Sequence, residues 1–266
     1  MKYSQSELEI RMNTRWAGHP VTCYEVLGST NIQAKLDAEG GAGHGSLIVA
    51  DMQTAGRGRR GRIWSSPADT NVYFTLILKP ELEPDKASML TPIMAMAVVE
   101  GIRTACGAAA QIKWPNDVVM DGKKVCGILT EMSAEAGAVR YIVIGVGINV
   151  GLQEFPSEVA PVATCLQKEC GESISRTELL VNVLRAFEEY YEIFMERKNL
   201  SGLMEEYNRL LVNRGRQVQV LDPAGAYQGV SGGINESGEL LVETPDGRLV
   251  QVYAGEVSVR GIYGYV

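Results

Sequence analysis

The chain has 266 residues, 45% of them hydrophobic, with 25 Lys+Arg against 32 Asp+Glu for a formal net charge of −7. That is enough apolar sequence for one large domain, or a large one plus a small one, and the acidic balance excludes a protein whose main work is to coat nucleic acid. Five cysteines with no CxxC pair, and only His19 and His44, argue against a disulfide framework and a histidine-rich metal centre.

The polar N-terminal stretch reads as no signal peptide, and the charge-free runs 87–99 and 141–153 are too short to span a bilayer, so a soluble cytoplasmic protein is expected. In chain order, VTCYEVL (21–27) is a strand that runs into a helix over 31–39, where Thr30 and Gln33 have capping-box spacing. SLIVADM (46–52) and NVYFTLIL (71–78) are strands, and 85–105 is a buried Ala/Met-rich helix with Pro92 near its start or at a kink. QIKWPNDVVM, KKVCGILTEMS and VRYIVIGVGINV read as three strands joined by tight turns at Asp121-Gly122 and around Gly137. Leu180, Val183, Leu184, Phe187, Tyr191 and Phe194 form one stripe of a helix over 176–196, and a short helix follows within 200–211. From about 214 the texture changes to short alternating runs split by glycine turns, giving four or five strands of a small β-barrel or sandwich. The expected division is 1–213 and 214–266.

Four stretches carry chemistry. Residues 56–62, GRGRRGR, place four arginines and three glycines between two strands of an acidic chain. Glycines expose backbone N–H groups and arginine recognises phosphate or carboxylate oxygens, so the loop suits a polyanion; a solvated basic turn or a modest RNA patch is the plainer alternative. Empty, such a loop repels itself and is expected to be mobile. Trp64 beyond it is placed to close over a ring. KWPNDVVMDGKKVCGIL (113–129) sets Lys113, Asn116, Asp117 and Lys124 around turns, where lysine offers a point charge and Asp117 either orients it or holds Mg²⁺; an ordinary polar turn explains the same letters. GSTN (28–31) caps a helix or hydrogen-bonds a ligand. GVGIN (145–149) is a glycine-interrupted strand, made for close backbone packing or for a flat apolar ligand. A Walker A motif is absent.

These four elements, in this order, resemble the biotin protein ligase family: GSTN, DMQTAGRGRRGRIWSSP (51–67), KWPND with KKVCGIL, and GVGIN. The resemblance covers about residues 21–150 closely. It implies an α+β fold, a mixed sheet flanked by helices (a class II synthetase-like catalytic domain) with a small C-terminal Src-homology-3-like β-barrel. It implies ATP-dependent activation of biotin to biotinyl-5′-AMP and transfer to a lysine of a biotin carboxyl carrier protein or domain of a carboxylase, with Mg²⁺ as cofactor. By the same likeness Ser29, Thr30, Asn31, Gln53, Gly56, Arg57, Gly58, Arg59 and Lys124 contact biotin. Arg57, Arg59, Trp64, Asn116 and Asn149 fall on the ATP and adenylate side. Arg59, Lys113 and Lys124 are the catalytic residues, and Asp117 is on the metal side.

Cys126 departs from the small residue commoner at its position. Only 28 residues precede Ser29, so a short form without the helix-turn-helix domain is expected, with no DNA partner; a homodimer is allowed by unpaired sheet edges. The rivals are a lipoate–protein ligase with the same adenylation chemistry and, more distantly, an RNA-binding module using the arginine loop.

Overall fold

The computed structural model describes residues 3–255, 257–262 and 264–266, so the sequence-predicted run 247–259 is followed except at Glu256. A short helix α1 (Gln5–Arg11) leads into β1 (Val21–Leu27), α2 (Thr30–Glu39), β2 (Leu47–Gln53) and β3 (Val72–Leu78). Helix α3 (Leu90–Cys106) follows, then β4 (Gln111–Lys113), β5 (Asp117–Met120), β6 (Lys123–Glu135) and β7 (Ala138–Ile148). These strands form a seven-stranded sheet of order β1-β2-β3-β7-β6-β5-β4. β1 and β2 pair in parallel and every other neighbour is antiparallel.

Alternation along the strands sorts side chains between two layers. Val49, Phe74, Leu76, Ile144 and Val146 face the large core shared with α3 and with α5 (Arg176–Arg197). Ile48, Ile77 and Val143 face the other way, onto Ala34 and Ala38 of α2. The stripe anticipated on α5 is buried throughout. Pro92 falls in the first turn of α3, where no intrahelical donor is lost. That helix ends at Gly107, whose φ of 66 closes the last turn through a bond from its N–H to Arg103 O. One helical stretch, Pro84–Cys106, is long and apolar enough to cross a membrane by composition, and its place between sheet and α5 accounts for that apolarity.

Two expectations are corrected, and two short helices had none. QIKWPNDVVM is two strands rather than one, because Pro115 cannot donate to a ladder and the chain turns through Trp114–Asn116. The cap of α2 is Ser29, not Thr30, and it makes no side-chain cap bond; the Thr30 N–H is instead met by Gln53 Oε1 at 2.9 Å. Helices α1 and α4 (Leu166–Cys170) are too short to leave a periodic signal. The turns at Asp121-Gly122 and Ala136-Gly137 have both central residues at positive φ, as two-residue hairpins require.

After α6 (Met204–Leu210) the chain pairs once with β4, Val212 N–H to Ile112 O at 2.9 Å, and enters a second sheet. Its strands are β8 (Gln217–Leu221), β9 (Tyr227–Ile234), β10 (Leu240–Glu243), β11 (Leu249–Val252) and β12 (Ser258–Gly261), all antiparallel, in the order β11-β10-β9-β8-β12.

At Gly101 α3 packs closely on α5: a Cβ there would fall 2.5 Å from Val183 Cγ2 and 3.0 Å from the Val183 backbone nitrogen. Helix propensity favours replacing it by about 1 kcal/mol, but overpacking costs about 1–3 kcal/mol. Gly101→Val, which lacks alanine's full propensity gain and adds two methyls, should lower stability by about 2 kcal/mol or more in urea unfolding.

Candidate functional site

α2 covers only the lower half of its face of the sheet, where Tyr141 and Val143 lie. Further along β7 the same face carries Gly145 and Gly147, paired with Leu129 and Gly127 of β6. The partners of Gly127 and Gly147 continue as a row across the sheet: Lys113, Asp117, Gly127, Gly147 and Tyr73 are successive cross-strand neighbours. A bare backbone floor is thus flanked at one end by a buried lysine and a buried aspartate. The cavity above it has a volume of about 450 Å³.

Register explains how Lys124 reaches this face. It lies three positions before Gly127, an odd offset, so an unbroken strand would turn the two to opposite sides. The ladder between β5 and β6 shifts between Val118 and Val119, pairing Val119 with Lys124. The extra residue re-aims Lys124 to the Gly127 side, where its Nζ sits 2.5 Å from Asp117 Oδ1 and 5.2 Å from the centroid of the Trp64 ring.

The arginine segment is a narrow hairpin. Trp64 N–H donates to Gly56 O at 2.9 Å and Gly58 N–H to Arg62 O at 2.8 Å, while Arg60 at φ 59 and Gly61 at φ 71 make the turn. Gly56 has to be glycine here, since a Cβ would lie 2.4 Å from Trp64 O. The hairpin lays the Trp64 indole on the glycine floor: a Cβ on Gly147 would fall 2.4 Å from Trp64 Nε1, and one on Gly127 would fall 2.8 Å from the ring edge. That indole N–H is buried and has no hydrogen-bond partner among the described residues.

At the polar end, Gln53 Oε1 accepts from the Thr30 N–H and hydroxyl, and Gln53 Nε2 donates to Ser66 Oγ at 3.0 Å. Asn31 donates to Leu129 O and Glu131, and Thr75 Oγ1 sits 2.7 Å from Asn31 Oδ1. At the charged end, Arg59 Nη1 donates to Asn116 Oδ1 at 2.9 Å and Nη2 to the carbonyls of Ala254 and Gly255 at 2.6 Å each. Asn116 is itself fixed to Ile128 O. Asn149 spends its amide on Thr164 O, which holds the strand-like segment at 162–164 beside Lys124.

All the sequence-named residues line the cavity except Gly56, which shapes the hairpin behind it. Sequence reasoning missed Thr75, Glu131 and the whole contribution of the second sheet: Val257, Ser258, Arg260 and Tyr265 also form the wall. Their distance in sequence leaves no local signal.

Two buried groups are shifted, in each case by burial working with or against neighbouring charge. Lys113 is 4% exposed and Asp117 8%. Desolvation pulls the Lys113 ammonium down to about 8, opposed by Asp117 and reinforced by Lys124, Arg260 and Arg59. Burial alone would raise Asp117, but Lys124 and Lys113 outweigh it and hold the carboxyl below its usual range. The donor set does not fit a protein-held divalent cation. Both Asp117 oxygens are engaged, by Lys124 and by Tyr265, and no group of three His, Cys, Asp or Glu gathers among the described residues.

NMR titration of a labelled Lys113 ammonium should show its charge lost as pH rises through about 8. In Asp117→Asn the supporting carboxylate is gone, so the midpoint should fall further; a midpoint unchanged by the substitution would contradict the coupling. The same variant leaves the buried lysine without its counter-charge and should lose about 3 kcal/mol of stability.

Residues 25–149 match the Biotin/lipoate A/B protein ligase family model and residues 215–260 match the Biotin protein ligase C terminal domain. The chain is 38% identical over 262 residues to the Bifunctional ligase/repressor BirA of Bacillus subtilis, covering 97% of this chain and 79% of that protein. It is 33% identical over 238 residues to the biotin–[acetyl-CoA-carboxylase] ligase of Paracoccus denitrificans, covering 88% and 98%. Among solved structures, the biotin protein ligase from Aquifex aeolicus in complex with biotin and ATP superposes with a TM-score of 0.78 at 30% identity, over 91% of this chain and 98% of that one.

Proposed function

As the chain belongs to the biotin protein ligase family, we propose that the cavity on the glycine floor activates biotin with ATP and passes the biotinyl group to a lysine of a carrier protein. A biotin carboxylate oxygen attacks the α-phosphorus of ATP, pyrophosphate leaves, and biotinyl-5′-AMP forms. The acceptor amine then attacks the acyl carbon, loses a proton to solvent as the amide forms, and AMP departs with the anhydride electrons. Both nucleophiles arrive on substrates, so the protein's task is positioning and charge neutralisation.

The observation that carries this reading is the juxtaposition of a cation cluster, Lys113, Lys124 and Arg59, with a floor whose Gly127 and Gly147 carry no side chains of their own. Thr30, Asn31 and Gln53 are suited to the polar head of biotin, with Ser29 at the same helix start, and the floor to its apolar body. Arg57 and Gly58 would line the acid's path, with Lys124 at its carboxyl end. Arg59, Lys113 and Asn116 would face the phosphates, and Trp64 and Asn149 the adenine. Asp117 is better suited to holding Lys124 than to binding metal, so Mg²⁺ enters as the counter-ion of ATP. We assign 1–213 to catalysis and 214–266 to closing the charged end. Cytoplasmic placement, freedom from DNA and membrane, and a homodimer joined at a sheet edge belong to the same proposal; the carrier domain of a biotin-dependent carboxylase is the acceptor.

ATP–pyrophosphate exchange should require biotin and fall about 100-fold in Arg59→Ala. Exchange driven by lipoate instead would move the chain to the sister activity, and silence with both acids would end this reading. A second outcome concerns the loop. With biotin and ATP bound, the Gly58 and Trp64 amides should exchange hydrogen much more slowly than in the free protein, as a mobile 55–66 segment becomes fixed over the ligand; equal protection in both states would refute such an ordering.

A further inference from the structure

Tyr265 lies beyond β12, far in sequence from every motif, yet it stands in the charged end of the cavity. Its Oη donates to Asp117 Oδ2 at 2.5 Å. Its ring lies under the Lys113 ammonium, 4.4 Å from Nζ to the centroid. The same ammonium donates to Val259 O at 2.9 Å, so β12 and the segment after it hold Lys113 from two sides. Burial and the Asp117 charge push the Tyr265 hydroxyl well above its ordinary value, which keeps it a donor.

We propose that Tyr265 is a positioning residue of the adenylation site, its ring supporting the charge of Lys113 and its hydroxyl fixing Asp117 and thereby Lys124. The inference rests on the ligase reading. A buried ammonium with a carbonyl, a carboxylate and an aromatic face around it is short of water, and an aromatic face stabilises the charged form over the neutral one. The other charged groups facing Lys113 are Asp117 from β5, Lys124 from β6, Arg59 from the hairpin and Arg260 from β12. Of these, Asp117 alone is anionic, and Tyr265 touches both it and the lysine. The second sheet therefore supplies part of the electrostatics of the reaction centre as well as a wall.

Two substitutions separate the ring from the hydroxyl. Tyr265→Phe keeps the ring and loses the donor to Asp117; Tyr265→Leu loses both while keeping an apolar body against water. Biotin-dependent pyrophosphate exchange is measured against pH, with KM for ATP and kcat taken separately and unfolding followed in parallel. Tyr265→Leu should lower kcat/KM for ATP about tenfold and shift the alkaline limb to lower pH, because the lysine loses support for its charge. Tyr265→Phe should keep the alkaline limb of the wild type with a smaller loss, about threefold, from the freed carboxylate. A Leu variant with wild-type kinetics and limb overturns the proposal. So does a Phe variant whose limb moves, and that result stands even if the Leu variant fails to fold. A wild-type protein with no biotin-dependent exchange condemns the ligase reading instead, which is a different result.

Discussion

The ion pair between Asp117 and Lys124 depends on one irregularity of the ladder, and the site depends on the pair. Without the bulge at Val118/Val119, Lys124 would point into the large core and Asp117 would face the buried Lys113 alone. With it, two lysines and one carboxylate occupy neighbouring positions over the sheet, and Lys113 and Asp117 are both shifted by their charged neighbours. A lone buried ammonium or carboxylate would cost several kcal/mol, so the three are kept together or not at all. The arrangement leaves a net positive charge beside a floor of bare backbone, which suits a phosphate whose charge grows during reaction.

The floor works because two layers stop at different places. α3 and α5 cover their side of the sheet along its length, whereas α2 packs on Ala34 and Ala38 against Ile48, Ile77 and Val143 and ends there. Beyond them the Asn31 side chain at the start of α2 lies on Gly145, and the Trp64 indole rests on Gly127 and Gly147. A hairpin whose own hydrogen bonds are few, and whose tip carries like charges, can lift an indole away at modest cost. The second sheet then sets the far boundary: Arg59 reaches the carbonyls of Ala254 and Gly255, and Lys113 that of Val259.

Much of the fold was legible because its signals are local. The α5 stripe, the turns at Asp121-Gly122 and Ala136-Gly137, and the run of short strands after 214 each reflect a periodicity or a φ requirement carried by adjacent residues. The break at Pro115 was misread because a proline turn within an apolar run looks like one strand with a polar interruption. The site was legible in its motifs, whose residues converge as neighbours on one face. Their chemistry was less so. Asp117 reads as a metal ligand in the letters PND, and only the β5–β6 register and a tertiary contact from the C-terminal segment reveal that lysine and tyrosine take its oxygens. Thr75, Arg260 and Tyr265 act through contacts between residues distant in sequence, for which one sequence holds no pattern.

The floor itself can be tested most directly by adding one methyl group. Gly147→Ala places a Cβ where the Trp64 indole now lies, 2.4 Å from its Nε1, and where the bound acid is expected to rest. Calorimetric titration with biotin should show affinity lowered at least tenfold, with urea unfolding still cooperative. Wild-type affinity in that variant would mean that the substrate lies elsewhere and that the glycine row serves packing alone.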